Sequence, residues 1–144
     1  MSSVAPTAPG VATTNSQPVM LLVGRILIAA LFLNAGLRKA FTYAATVGYF
    51  TKLGFPMPEA MAIIAPIIEV GGALLLIAGW KSRYAAWVLS VFVVIASFAA
   101  HRFWTVDAAQ YANQMNHFMK NFAIIGGLLF IAACGPGSLS VDKS

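Results

Sequence analysis

The chain has 144 residues, of which 60% are hydrophobic and 9% are charged, and its mean hydropathy is +0.82. An ordinary soluble domain carries about a quarter charged residues, and a soluble core of this size cannot hide so much apolar side chain. The sequence therefore predicts an integral membrane protein. The formal net charge is +5, but the basic residues fall singly or in pairs between apolar runs, so we expect no nucleic-acid partner.

Cys134 is the only cysteine, which excludes an intramolecular disulfide, a CxxC redox pair and a cysteine metal cluster. A dithiol oxidase that passes electrons to quinone is excluded as well, because it needs two thiols. The sequence has only two His and few carboxylates, and it lacks a Walker loop, a dinucleotide-binding glycine pattern, HExxH and a nucleophile elbow. We therefore expect no metal site and no covalently bound cofactor, and we assign no catalytic residue.

The first 18 residues are uncharged and rich in Ser, Thr, Ala, Pro and Gly, which predicts a disordered N-terminal tail rather than a signal peptide. Four apolar runs follow, each near the roughly 20 residues that a helix needs to cross ~30 Å of hydrocarbon. Their predicted bounds are about 19–37, 60–79, 84–100 and 118–134. The runs are continuous and do not alternate, so the predicted fold is an all-α integral membrane protein, a four-transmembrane-helix bundle over residues 19–134.

The connections between these runs differ in kind. The segment TYAATVGYFTKLGFPMPEA has apolar and aromatic residues at helical spacing, which predicts an interfacial segment on the membrane between helices 1 and 2. Only Trp80 to Arg83 joins the second and third spans, so these are antiparallel neighbours. The segment RFWTVDAAQYANQMNH predicts a polar and aromatic loop before the last span. Gly135 to Gly137 ends that span and begins a polar C-terminal tail over residues 135–144.

The positive-inside rule barely separates the two orientations. The side of the termini carries Lys81, Arg83 and Lys143, and the opposite side carries Arg38, Lys39, Lys52 and Arg102. The tight basic turn between the second and third spans favours both termini in the cytoplasm.

Two ionisable residues lie inside the predicted spans, and each demands a reason because a charge at the bilayer centre costs at least about 2.5 kcal/mol. Arg25 shares a helical stripe with Ala29, Phe32 and Gly36, and Glu69 lies on a similar stripe of the second span. Both stripes contain small residues, which let helices in lipid approach closely. We predict an Arg25–Glu69 ion pair. It either fixes the register of the two helices, or Glu69 handles a proton or anchors a ligand.

A second polar group gathers at the end of the bundle opposite the termini. Ser90, Ser97 and His101 share a face of the third span, and Asn113, His117 and Asn121 recur every fourth residue toward the fourth. With Lys120 and the interfacial segment, including Lys39, Lys52, Tyr43 and Tyr49, they would form a polar pocket for a ligand with a polar head and an apolar tail. The alternative is that Arg102, Trp104, Tyr43, Tyr49 and Lys52 are ordinary interface anchors.

Five segments taken together resemble the DoxX family. They are GRILIAALFLNAGLRKA, LGFPMP, IIEVGGALLLIAGW, AAHRFW and MKNFAIIGGLLFIA, in the family's order over roughly residues 19–133. The resemblance implies a multi-pass protein of the bacterial inner (cytoplasmic) membrane, related to the quinone-reducing membrane subunit of thiosulfate oxidation and sometimes associated with redox-stress partners. The residues that match the family's polar positions are Arg25, Lys39, Glu69, His101, Lys120 and Asn121.

The leading functional hypothesis is a membrane redox accessory that binds a quinone-type or similar amphipathic ligand. His101, Lys120 and Asn121 would hold the head group, with Glu69 and Arg25 beneath it. Any redox centre would belong to the ligand or to a partner protein, and membrane lipid and a second copy of the chain are further expected partners. One alternative is a non-catalytic anchor or subunit that uses small-residue faces such as Ala123 and Gly127. A small-solute transporter is a third, disfavoured because the chain shows no inverted repeat.

Overall fold

The computed structural model describes residues 16–142. Its helices are α1 (Gln17–Phe41), α2 (Tyr43–Lys52), α3 (Pro58–Ala78), α4 (Ser82–Ala100) and α5 (Ala108–Cys134), with a 3-10 turn at Phe103–Thr105 between the last two. All of them except α2 are long and apolar enough to cross a membrane. The predicted all-α fold with four membrane-spanning helices is therefore confirmed for the described part of the chain.

The first three predicted spans agree with α1, α3 and α4 to within about one helical turn, but the helix that contains the fourth predicted span begins ten residues before it. α5 begins at Ala108 rather than at residue 118, so most of the predicted polar loop is helical. The Asp107 carboxylate starts the helix because it accepts a hydrogen bond from the Gln110 backbone N–H (2.9 Å). With 27 residues, α5 is about 40 Å long, and its polar first turns extend beyond the hydrocarbon.

The segment between α1 and α3 forms the short helix α2, which packs across one end of the bundle. α1 ends at Thr42, whose backbone leaves the helical region, and α2 starts immediately afterwards. Thr46 and Phe50 are the buried residues of α2, and Phe50 packs with Ala62 and Ala65 of α3. The helical spacing of this segment thus corresponds to a helix, and its position at the membrane interface stays a prediction.

α1 and α3 are antiparallel and approach very closely at one position. The buried residues of α1 are Arg25, Ala29, Phe32 and Gly36, which is the stripe that the sequence predicts. A methyl group added at Gly36 would lie 2.8 Å from Val70 Cγ2 and 2.9 Å from Glu69 Cβ. Because only glycine fits there, Gly36 sets which turns of α1 and α3 face each other.

The end of the bundle near the termini is covered by residues 135–142, which we call the C-terminal strap. The backbone N–H of Val141 donates to Ala78 O, and that of Asp142 donates to Gly79 O. The Asp142 carboxylate accepts from the Lys81 backbone N–H at the start of α4. The described part of the predicted polar tail is therefore packed on the α3–α4 turn. Of the predicted N-terminal tail, residues 1–15 lie outside the described residues, and Gln17 and Pro18 belong to α1.

Candidate ligand-binding site

A cavity of about 520 Å³ lies where α2 crosses the bundle, and all five α-helices contribute to its wall. Most of the wall is apolar, including Phe32, Ala65, Phe92 and Val93. The polar and charged residues of the wall are Arg38, Lys39, Tyr49, Glu69, His101 and Asn121. A mainly apolar cavity of this size with a few convergent polar groups is typical of small-molecule binding sites.

The strongest polar contact in the wall is an ion pair between α1 and α3. Lys39 Nζ donates to Glu69 Oε1 at 2.8 Å and to Oε2 at 2.9 Å. The Glu69 side chain is only 5% exposed, whereas that of Lys39 is 20% exposed. Gly36, three residues before Lys39 on α1, lets the backbone of α1 approach closely to Glu69 on α3. The packing of the two helices therefore positions the pair.

The predicted Arg25–Glu69 ion pair is wrong. Because α1 and α3 are antiparallel and Gly36 lies beside Glu69, Arg25 is about 16 Å further along the axis, next to the end of α3. There its Nη1 donates to Leu76 O (3.2 Å) and its Nη2 to Leu139 O of the strap (2.5 Å). Sequence reasoning ended the first span at residue 37 and so placed Lys39, the true partner, outside the membrane.

The predicted polar faces of α4 and α5 do meet. Asn121 Nδ2 donates to Ser97 Oγ at 3.0 Å, and the rings of His101 and His117 stack with centroids 5.0 Å apart. His101 Nδ1 also lies 3.0 Å from Gln114 Oε1. Sequence reasoning followed the four-residue spacing of Asn113, His117 and Asn121, but Asn113 is exposed. It missed Gln114, which lies three residues before His117 and seven before Asn121 and so shares their face of the helix.

Lys120 is the neighbour of Asn121 but is exposed and does not line the cavity. Adjacent residues of a helix lie about 100° apart, so only one of the two can face the bundle. Of the six residues predicted for the site, the fold brings together Lys39, Glu69, His101 and Asn121 in one wall. Arg25 and Lys120 are elsewhere.

Two residues of the wall come from outside that prediction. Arg38 precedes Lys39 and is exposed at the end of α1. Tyr49 is a half-exposed residue of α2, for which the sequence left open both a place in the polar pocket and a role as an interface anchor. Burial raises the pKa of the Tyr49 phenol, and the charge of Arg38 partly opposes this shift. The phenol is therefore neutral near pH 7 and remains a hydrogen-bond donor. The other predicted anchors are exposed and do not line the cavity, which agrees with the anchoring alternative; they are Tyr43, Lys52, Arg102 and Trp104.

The wall combines several hydrogen-bond donors with one compensated charge. Lys39 and Glu69 neutralise each other, so the exposed Arg38 leaves the wall with a net positive charge. Lys39, Tyr49 and Asn121 carry N–H or O–H groups that can donate hydrogen bonds, and Glu69 and His101 are ionisable side chains. Within residues 16–142 no three His, Cys, Asp or Glu side chains form a metal-binding group. The arrangement suits an organic ligand with oxygen acceptors and an apolar body.

Comparison with known proteins identifies the family. The family model described as DoxX matches residues 20–102. Inner membrane protein YphA of Escherichia coli is 34% identical over 128 residues, covering 89% of this chain and 91% of that protein. Inner membrane protein YqjF of the same organism is 35% identical over 127 residues, covering 88% and 92%.

A more distant relative comes from a eukaryote. The Surfeit locus protein 4 homolog of Schizosaccharomyces pombe is 28% identical, and the match covers 94% of this chain but only 40% of that longer protein. No solved structure matches the chain significantly. With more than half of its length matched by the family model and two relatives above 30% identity aligned over nearly their full length, this multi-pass membrane protein belongs to the DoxX family.

Proposed function

We propose that the protein binds an amphipathic ligand of the membrane, a quinone in the first place, and acts as an accessory to a redox process. The observation that carries this proposal is the cavity, which is apolar over most of its wall and receives Lys39 and Glu69 from one helix pair and His101 and Asn121 from the other. The deeper wall residues, such as Phe32 and Val93, are apolar. A polar head would lie near α2 and an apolar body would lie against the rest.

The polar residues suit the chemistry of a quinone. Its two carbonyl oxygens accept hydrogen bonds, for which Lys39 and Asn121 are donors. Reduction to the quinol adds two electrons and two protons, and a fixed ammonium group stabilises the negative charge that develops on oxygen. Lys39 thus takes the role that the sequence suggested for Lys120. Glu69 and His101 would exchange the protons, and a partner reductase would supply the electrons.

The alternative, a non-catalytic anchor or subunit of a larger complex, is supported less well than ligand binding by the way α5 packs. It requires that Ala123 and Gly127 form a small-residue face for a partner. Gly127 is already used inside the bundle, because a methyl group added there would lie 2.8 Å from Ile28 Cδ1 of α1. Ala123 is exposed, so a partner or a second copy of the chain remains compatible with ligand binding, but this face is not built for it alone.

The test is a titration of the protein in lipid nanodiscs with a benzoquinone that carries one isoprenoid unit, followed by native mass spectrometry. We expect saturable binding of one quinone per chain. Ala96 lies in the wall, so the ring of Ala96→Phe takes up space that the ligand needs, and it should lower the affinity about tenfold, which corresponds to about 1.4 kcal/mol. Lys120→Ala is the control and should bind as the parent does. Unsaturable uptake that is equal in all three proteins would refute the proposal.

The proposal includes location in a bacterial inner membrane with both termini in the cytoplasm, which places the cavity near the periplasmic surface. The relatives named inner membrane proteins support the membrane, and the basic turn at Lys81 and Arg83 supports the orientation. Cys134 is exposed at the terminal end of α5 and provides a probe. A membrane-impermeant maleimide should label it in inverted vesicles and not in spheroplasts. The opposite labelling pattern would reverse the orientation.

A further inference from the structure

The α3–α4 interface is tightly packed at the end near the turn that joins the two helices and open at the end near α2. Near the turn that joins the helices, a methyl group added at Gly72 would lie 2.8 Å from Leu89 Cγ, so the backbones are close. Two turns further from that junction, Ala65 of α3 and Ala96 of α4 both line the cavity instead. The helices therefore leave a space between them that widens toward α2.

That space is bordered by two residues that belong to both the cavity and the outer surface. Ile64 of α3 lines the cavity and is 44% exposed, and Ile95 of α4 lines it and is 56% exposed. Both lie within membrane-spanning helices, so their exposed parts contact lipid. The apolar wall of the cavity is thus continuous with the lipid-facing surface along a gap that we call the α3–α4 opening.

The seam between α1 and α5, which also borders the cavity, is less open. On α1 the exposed apolar wall residue is Leu31, but the wall residues of α5, Asn121 and Ile124, are only partly exposed. Asn121 also donates a hydrogen bond to Ser97. One helical turn after Ile124, Gly127 of α5 packs closely against Ile28 of α1. The α3–α4 opening has a half-exposed apolar side chain on each of its two edges, Ile64 and Ile95, whereas the α1–α5 seam has one on α1 alone.

We infer that the ligand enters from the bilayer through the α3–α4 opening and that it is a long-tailed lipid whose tail remains there. This inference rests on the proposed function. A cavity of about 520 Å³ holds a drug-sized molecule, so a long isoprenoid or acyl chain exceeds it and has to leave through a wall. A tail that passes between Ile64 and Ile95 stays in hydrocarbon throughout, and no apolar surface is exposed to water.

The test compares two probes on variants of the opening in nanodiscs. The short probe is the benzoquinone with one isoprenoid unit, and the long probe is decylubiquinone, whose tail would have to pass the opening. Ile64→Trp combined with Ile95→Trp narrows the opening and should weaken binding of the long probe at least about tenfold more than binding of the short probe, whose tail does not have to pass the opening. Ile95→Trp alone provides a smaller effect of the same sign if the double variant is poorly folded.

Matched controls lie on the same two helices. Ile63 and Val91 are 53% and 57% exposed but do not line the cavity, so Ile63→Trp combined with Val91→Trp should leave both probes unchanged. If the narrowed variant binds the long probe as the parent does, or if Leu31→Trp alone blocks it, the inference is wrong while the proposed function stands. If the parent binds neither probe, both are wrong.

Discussion

The two ends of the bundle treat a buried cation in opposite ways. At the end near the termini, the Arg25 side chain is 1% exposed and donates to backbone carbonyls of α3 and of the C-terminal strap. At the end near α2, Lys39 of the same helix meets a carboxylate that lines a cavity. At the first end, the cation is held by backbone carbonyl groups, which do not ionise. At the second end, an ionisable Lys–Glu pair lies in the wall of the cavity.

The choice of residue agrees with this division. The guanidinium group carries five donors in a rigid fork and stays charged, which suits several fixed carbonyls at once. The lysine ammonium is a compact charge on a flexible stem, which suits a carboxylate partner and a ligand oxygen. We therefore expect both ends to contribute to stability and only the lysine end to contribute to the proposed ligand binding. The predictions below test that separation from the largest expected effect to the smallest.

Removal of Lys39 should have the largest effect on stability. Lys39→Met strands the Glu69 carboxylate in a nearly buried position, and breaking a buried ion pair costs about 3–5 kcal/mol. Glu69→Leu introduced together with Lys39→Met should recover most of that loss, because no charge is left unpaired. The free energies of unfolding of the two single variants and the double variant form a cycle. Additive single and double effects would show that the pair contributes nothing.

Arg25→Met should destabilise the protein by about 2–3 kcal/mol, because hydrogen bonds from a charged donor to Leu76 O and Leu139 O are lost. Arg25→Lys keeps the charge with fewer donors and should lose less. Both are measured by unfolding in detergent, and quinone affinity is measured in parallel. Unlike the Lys39 variants, a correctly folded Arg25→Met protein should retain its affinity. Loss of binding at unchanged fold would place Arg25 in the functional end after all.

Gly36→Ala should cost about 1–3 kcal/mol, because the new methyl group would overlap Val70 and the backbone beside Glu69. Gly24 lies on the same helix and has open space around its missing side chain, so Gly24→Ala should be neutral or stabilise the helix by up to about 1 kcal/mol. Thermal unfolding of the two variants separates close packing from helix propensity. Equal shifts would mean that Gly36 does not set the register.

The smallest effect is expected from the polar contact between α4 and α5. Asn121→Ala removes the hydrogen bond to Ser97 Oγ, and such bonds between membrane helices average about 0.6 kcal/mol. Its effect on quinone affinity should exceed this loss of stability, because the amide also faces the cavity. A variant that loses stability but binds quinone unchanged would assign Asn121 to helix packing alone.

The four long apolar helices and the buried face of α1 could be predicted from the sequence, because an apolar run and a stripe of small residues are local patterns. It was insufficient for the register of α1 against α3. That register depends on the contact of Gly36 with Glu69 and on the strap beside Arg25, and both join residues far apart in the chain. The early start of α5 had a local signal in the capping Asp107, which the polar residues after it obscured.

The most direct measurement of the central claim is photoaffinity labelling with a quinone that carries a diazirine on its head group, followed by peptide mass spectrometry. The label should attach to peptides that contain Lys39, Glu69 and His101, and excess unlabelled quinone or Ala96→Phe should suppress it. Labelling spread over lipid-facing residues such as Trp87 and Phe130, unaffected by competitor or by the cavity-filling variant, would contradict the account.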